Sequence, residues 1–219
     1  MPRLLFEKKG NAVWISHLDL MRLFQRTFKR AGLPLTHTQG FNPRPSVSIA
    51  LPLSVGVESN CELLEFDLSE YNYSNEQIRD LLNNALVEGI RVLEVYDQGR
   101  KYRDLLLLSC TIALDYDKGV PAGGVEAVRE LFARPSLVLP KKTKSGIQDQ
   151  DIIPMIKRLA VTQDGENTIL LDALICCQNP TLNPAQLTLA VQTFLPELAP
   201  DGCRYQRKEI YDDRETIFR

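Results

Sequence analysis

The chain has 219 residues, 44% apolar and 25% charged, the balance of an ordinary globular protein. No run of about 18 apolar residues is available for a spanning helix, and the opening MPRLLFEKKGNAVW has no long apolar core of the secretory kind, so a cytoplasmic location is expected. The formal net charge is −2, yet residues 1–50 set Arg3, Lys8, Lys9, Arg22, Arg26, Lys29, Arg30 and Arg44 against Glu7 and Asp19, a local +6 that suits a polyanion or an acidic partner.

In chain order, Arg3–Lys9 reads as a short strand, with a turn at Gly10. Ser16 caps a helix, with Asp19 three residues on in the manner of a capping box. The helix is expected to run to about Ala31, with Gly32 as its stop and Pro34 beyond. Leu33–Ser46 reads as loop or edge strand, Val47–Leu53 as a strand interrupted by Pro52, and Cys61–Leu68 as a strand. Asn75–Leu86 follows as an amphipathic helix, then Ile90–Tyr96 as a strand. This β-α-β-β-α-β order predicts a ferredoxin-like half over residues 1–97.

Asp97–Asp104 is a polar boundary. The remainder, residues 104–219, repeats the alternation. Strands are expected at Leu105–Leu114, Ser136–Pro140, Thr168–Cys177 and Arg204–Tyr211. Helices are expected at Gly123–Ala133, Asp149–Leu159 and Asn183–Phe194, although Pro154 sits awkwardly in the second of these. The fold class is therefore α+β: two ferredoxin-like halves, each a mainly antiparallel sheet backed by helices.

The five cysteines, Cys61, Cys110, Cys176, Cys177 and Cys203, form no C-x-x-C pair. A disulfide framework, a zinc site and an iron–sulfur centre all lack their spacing, so no cofactor or metal is expected. Neither a phosphate-binding glycine loop nor a G-x-S-x-G nucleophile motif occurs.

The residues with the most chemistry lie between Ser16 and Ser59. On the first helix Leu18, Met21, Phe24 or Gln25, and Phe28 have the spacing of a core face. Arg22, Arg26, Lys29 and Arg30 form an opposite cationic stripe. It reads either as a solvated face or as a phosphate-binding one, and Asp19 can neutralise Arg22. In the loop THTQGFNPRPS, Gly40 permits positive φ and Arg44 is pinned between Pro43 and Pro45. Gln39, Gly40, Phe41, Asn42 and Arg44 could offer a ring to a base and a guanidinium to phosphate. Alternatively, Phe41 plugs the core.

His17, at the first turn of the helix, and His37, in the loop, are the only histidines. Together with the cations they could serve a metal-independent ribonuclease, or they could be structural. Lys141, Lys142 and Lys144 make a second basic patch, read as a surface loop. Glu65 and Asp67, alternating with Leu64, Phe66 and Leu68, read as the solvent side of a half-buried strand.

The stretch Phe6–Ser59 resembles the bacterial radical-SAM-linked domain family of unknown function. The resemblance rests on F-x-K-K-G at Phe6–Gly10, SHLDLMR at Ser16–Arg22, RAGLP after Lys29, TQGFNPRP at Thr38–Pro45 and ALPLSVGVES at Ala50–Ser59. It implies an accessory chain that works beside a radical-SAM enzyme, with tRNA or rRNA as an associated substrate. The chain lacks that enzyme's cluster cysteines, so the chemistry would belong to the partner. The two-half outline is also similar to CRISPR RNA-processing endonucleases, but the glycine-rich C-terminal loop of that group is missing. Three readings follow: a non-catalytic RNA-binding module using Ser16, His17, Asp19, Arg22, Arg26, Lys29, Arg30, Gln39, Gly40, Phe41, Asn42 and Arg44; a ribonuclease using His17 or His37; and a protein-only adaptor.

Overall fold

The continuous buried run Leu4–Phe6 lies in β1, Arg3–Lys8, and a 3-10 turn at Gly10–Trp14 leads into α1, His17–Arg30. β2 is Val47–Ile49, β3 Val57–Phe66, α2 Asn75–Ala85 and β4 Ile90–Tyr96. The strands pair antiparallel in the order β4-β1-β3-β2, the ferredoxin-like order. The computed structural model describes every residue except Tyr71, Lys144 and Ser145, with backbone only at Lys142 and Thr143. Lys144 of the second basic patch thus lies outside the described residues. By internal contacts, Met1–Asp104 with Phe218–Arg219 form one unit and Leu105–Ile217 the other.

In the first unit one face of the sheet packs on both helices. Leu4 and Phe6 of β1, Leu64 and Phe66 of β3, and Leu20, Phe24 and Phe28 of α1 are all buried. Phe6 meets Phe24 edge-on with ring centres 4.8 Å apart, and Phe28 meets Phe66 at 5.0 Å. Each such ring contributes about 1.5–3 kcal/mol by leaving water, which fixes α1 on the sheet. Ile78 and Leu82 seat α2 beside it, and a reciprocal Ser74–Gln77 capping box starts that helix.

Two cations of the N-terminal charge cluster are structural. Arg3 is 1% exposed. Its Nη2 donates to Glu65 Oε1 at 2.6 Å and to the Arg100 carbonyl at 2.7 Å, and its guanidinium lies 4.3 Å from the Tyr102 ring centre. Lys8 is equally buried, and its Nζ donates to the carbonyls of Val13 (3.2 Å) and Ile15 (2.8 Å). It thereby closes the end of the 3-10 turn and sets where α1 begins. Burial holds the Lys8 ammonium below the usual lysine range, against the opposing pull of Glu62. Glu65 is therefore an ion-pair partner rather than a solvent-side acid. Asp67 is engaged too, as described below.

The second unit repeats the pattern with an insertion. β5 is Leu107–Asp115, α3 Gly124–Phe132, β8 Ile156–Asp164, β9 Thr168–Cys176, α4 Ala185–Phe194 and β10 Gly202–Tyr211. The order β10-β5-β9-β8 is again antiparallel. Between α3 and β8 stands a hairpin of β6, Val138–Thr143, and β7, Gly146–Asp151.

The helix expected at Asp149–Leu159 is not formed. Its residues are divided among the end of β7, a 3-10 turn at Ile153–Met155 and the start of β8. Pro154 brings no N–H to a helical ladder. From there on, Leu159 and Val161 follow a two-residue period, facing Ala173 and Leu171 of β9.

Asp115 ties three strands of this unit. Arg204 donates to both its oxygens at 2.9 Å, and Thr168 Oγ1 donates to Oδ1 at 2.9 Å. These bonds, Arg204 first, hold its carboxyl below the ordinary value of 3.8. A carboxyl depressed on folding stabilises the protein above that ordinary value, and the contribution is lost as pH falls through the folded-state value. Asp115→Asn is expected to lower the melting midpoint at pH 7, and its deficit relative to the parent should shrink below about pH 4. Thermal melts of both proteins across pH 7 to 3 check this.

Candidate nucleic-acid interface

All five cysteines are free. Four are buried, and burial pushes the Cys110 and Cys177 thiols up to about 12. They behave as small apolar groups. Among the described residues no three His, Cys, Asp or Glu side chains converge to hold a metal ion.

Thr36–Ser46 is a narrow arm. Ser46 N–H donates to the Thr36 carbonyl and Thr38 N–H to the Arg44 carbonyl, each at 2.8 Å, while His37 sits opposite Pro45. Arg44 N–H reaches Thr38 Oγ1 at 3.0 Å. The base of the arm is fastened to the end of β3. Thr36 N–H donates to the Asp67 carbonyl at 2.9 Å, Thr36 Oγ1 donates to Asp67 Oδ2 at 2.8 Å, and Asp67 N–H donates to the Ser46 carbonyl at 3.1 Å.

At the tip Gln39, Gly40, Phe41 and Asn42 are exposed. Gly40 adopts φ +140°, a conformation that side chains disfavour. Phe41 is fully exposed, so it does not plug the core. An extended arm too narrow to fold back over the sheet leaves its tip aromatic in water.

Between this arm and α1 runs a groove made of two adjoining hollows. The larger, of about 800 Å³, has His17, Leu18, Met21 and Arg22 on the helix side and Thr38 and Arg44 on the arm side. The smaller, of about 480 Å³, has Lys29 on the helix, Leu33, Pro34 and Leu35 on the link that follows it, and His37 on the arm. Gln25 and Pro45 border both. Among the described residues neither lining contains an Asp or Glu, and Asp19 approaches only through its ion pair with Arg22.

The cationic stripe of α1 therefore divides. Arg22 and Lys29 reach the groove, whereas Arg26 is exposed outside both linings. Arg30 turns away; its Nη2 donates to the Ala85 carbonyl at 2.7 Å, closing the end of α2. Leu18, expected on the core face, is 67% exposed and borders the groove. Phe24, not Gln25, takes the core position. His17 and His37 border different hollows. Gln25 is the groove residue missed from sequence; its one signal was the four-residue step Met21, Gln25, Lys29 along one helix face.

At the head of α1 Ser16 accepts from Asp19 N–H at 3.2 Å, and its hydroxyl donates to Asp19 Oδ2 at 2.7 Å. Arg22 Nη1 donates to Asp19 Oδ1 at 3.0 Å. The Ser16 hydroxyl and then Arg22 hold the Asp19 carboxyl below the usual range. Ser16 and Asp19 thus set the helix start and aim Arg22. Outside this unit, Lys141 of the second basic patch donates to the Thr181 carbonyl at 2.9 Å.

None of the described helices is long and apolar enough to cross a membrane. No curated protein sequence matches the chain. Among solved structures it is similar to a chain in the crystal structure of a Cbf5–Nop10–Gar1 complex, at 8% identity and a TM-score of 0.52. The match covers 95% of this chain but 48% of that one, so the chain spans about half the length of its structural relative. At that identity the likeness carries the fold alone, and it agrees with the ferredoxin-like α+β reading. An unknown protein from Galdieria sulphuraria matches at 11% identity over 94% of this chain and 96% of its own, with a TM-score of 0.26. The arm, α1 and the whole first sheet fall within residues 2–184, and over that span the chain matches, and belongs to, the family described as uncharacterized protein conserved in bacteria (DUF2344).

Proposed function

We propose that this chain is a non-catalytic accessory module that binds single-stranded RNA in the groove between α1 and the Thr36–Ser46 arm, and presents tRNA or rRNA to a radical-SAM enzyme. The observation that carries the RNA reading is an acid-free groove with Arg22, Lys29 and Arg44 on its walls and a fully exposed Phe41 at the tip of the arm. Cations track the phosphates, and an exposed ring offers a face to any base. The radical-SAM partner rests on the resemblance of Phe6–Ser59 alone.

The test is a titration of the purified protein against bulk tRNA and rRNA fragments across a salt series in EDTA, with a gel for cleavage. Binding that weakens steeply with salt, without cleavage, is the expected result. Cleavage lost on His17→Ala or His37→Ala would move the chemistry into this chain. Absence of binding at low salt would overturn the RNA reading and leave a protein adaptor.

A further inference from the structure

The smaller hollow has properties that the cationic walls do not account for. Its floor is built by the end of α1. Gly32 turns with φ +71°, Leu33 N–H donates to the Phe28 carbonyl at 3.0 Å, and the Leu33 side chain is buried. Pro34 and Pro45 add two rigid rings to its sides. At about 480 Å³ it falls within the range of about 300–1,000 Å³ of small-molecule pockets. Its polar groups are few, and the half-buried Gln25 stands where it joins the larger hollow. The Gln25 amide makes no hydrogen bond with any described residue. An amide carries a donor and an acceptor side by side, the pattern that pairs with a nucleobase edge. Lys29, one helical turn on, is exposed and in no ion pair among the described residues.

We propose that this hollow holds one unstacked nucleobase of the bound strand, with Gln25 reading the base edge and Lys29 meeting the adjoining phosphate. The proposal rests on the RNA reading above and adds base selectivity to it. Apolar rings and leucines cover the faces of the base, a task indifferent to its identity. Gln25 then discriminates, because a base with the wrong edge leaves its amide unpaired in a half-buried place. The strand continues through the larger hollow, where Arg22 and Arg44 carry phosphates without regard to sequence.

Short labelled homopolymers of A, C and U, titrated by fluorescence anisotropy across a salt series, test this. The protein is expected to prefer one of them by roughly 10-fold. Gln25→Leu should bring the three within about 2-fold of one another while leaving the salt slope unchanged. Lys29→Gln should weaken all three alike and make the slope shallower by roughly 0.7. Melting midpoints of the variants verify folding, and Gln25→Ala gives the same comparison should the leucine variant melt early. Equal binding of all three by the parent protein, or a preference that survives both Gln25 substitutions, overturns the base pocket while the RNA reading stands. Failure of every homopolymer to bind at low salt overturns both.

Discussion

Reversing Arg22 and Arg44 together, to Glu, is expected to weaken RNA binding by roughly 10–100-fold near physiological salt and to make the log–log salt slope shallower by about 1.4. Both side chains border the larger hollow from opposite walls, so the pair removes cations from both banks of one path. Each cation withdrawn from the phosphates of a single strand flattens the slope by about 0.7, which gives the expected figure for two. Arg22 is held by Asp19 in the free protein, and both groups are exposed, so losing that pair has little effect on stability. Arg44 has its backbone locked between Pro43 and Pro45 and its N–H on Thr38, so the arm keeps its shape when the side chain changes. Lys118 and Lys157 reversed together to Glu, two exposed positions in the second unit, give a control of equal charge change. Anisotropy titrations of the three proteins decide the matter. Equal weakening by the control would mean that binding follows net charge and not the groove.

Gly89→Ala is expected to destabilise the first unit by roughly 2–5 kcal/mol without any change of charge. Gly89 has φ +85°, and a Cβ there would stand 2.4 Å from the Lys9 carbonyl oxygen and 2.9 Å from the Ala12 Cβ. Two costs combine: about 1–2 kcal/mol for the left-handed backbone and about 1–3 kcal/mol for overpacking. Relief by movement is blocked on one side, because Lys9 N–H already donates to the Gly89 carbonyl at 2.7 Å. Any shift would also disturb the Gly10–Trp14 turn that Lys8 closes, and so displace the head of α1. Gly165→Ala, at φ +64° with open space around it, is the comparison and carries only the backbone cost. Urea or thermal unfolding of both variants measures the difference. A Gly89→Ala protein no less stable than Gly165→Ala would show that the close approach is not rigid.

The two variants separate what local sequence dictates from what assembly adds. Ser16, the spacing of Leu20, Phe24 and Phe28, and Gly32 are read within one helix, so α1 was legible to within a residue at either end. The strand–helix alternation of both halves was legible for the same reason. The one failed element, Asp149–Leu159, lies where a proline turn joins two strands. There Ile152, Ile153, Met155 and Ile156 crowd around Pro154 without a clean period, and pairing with β9 decides the state.

Charge was the least legible quantity. Eight cations counted along residues 1–50 suited a polyanion or an acidic partner. Arg3 and Lys8 are buried braces, Arg30 closes α2, and Lys9 is held by Glu7 at 2.6 Å. A formal count treats each ion as equal, whereas the fold consumes some as hydrogen-bond donors to carbonyls that would otherwise lie unpaired.

By itself, then, the sequence determined the fold class, the first helix and the Gly- and Pro-punctuated segment beside it, because turns, caps and apolar periods act over a few residues. Tertiary structure alone decided which residues face one another across that groove. Asp67, some thirty residues after Thr36, fastens the arm to β3; Arg44 and Arg22 then border one hollow, Gln25 stands at its wall because Phe24 takes the core position, and Phe41 is left in solvent. Pairings between residues so far apart carry no local period, so they are written in the packing and not in any stretch of the chain.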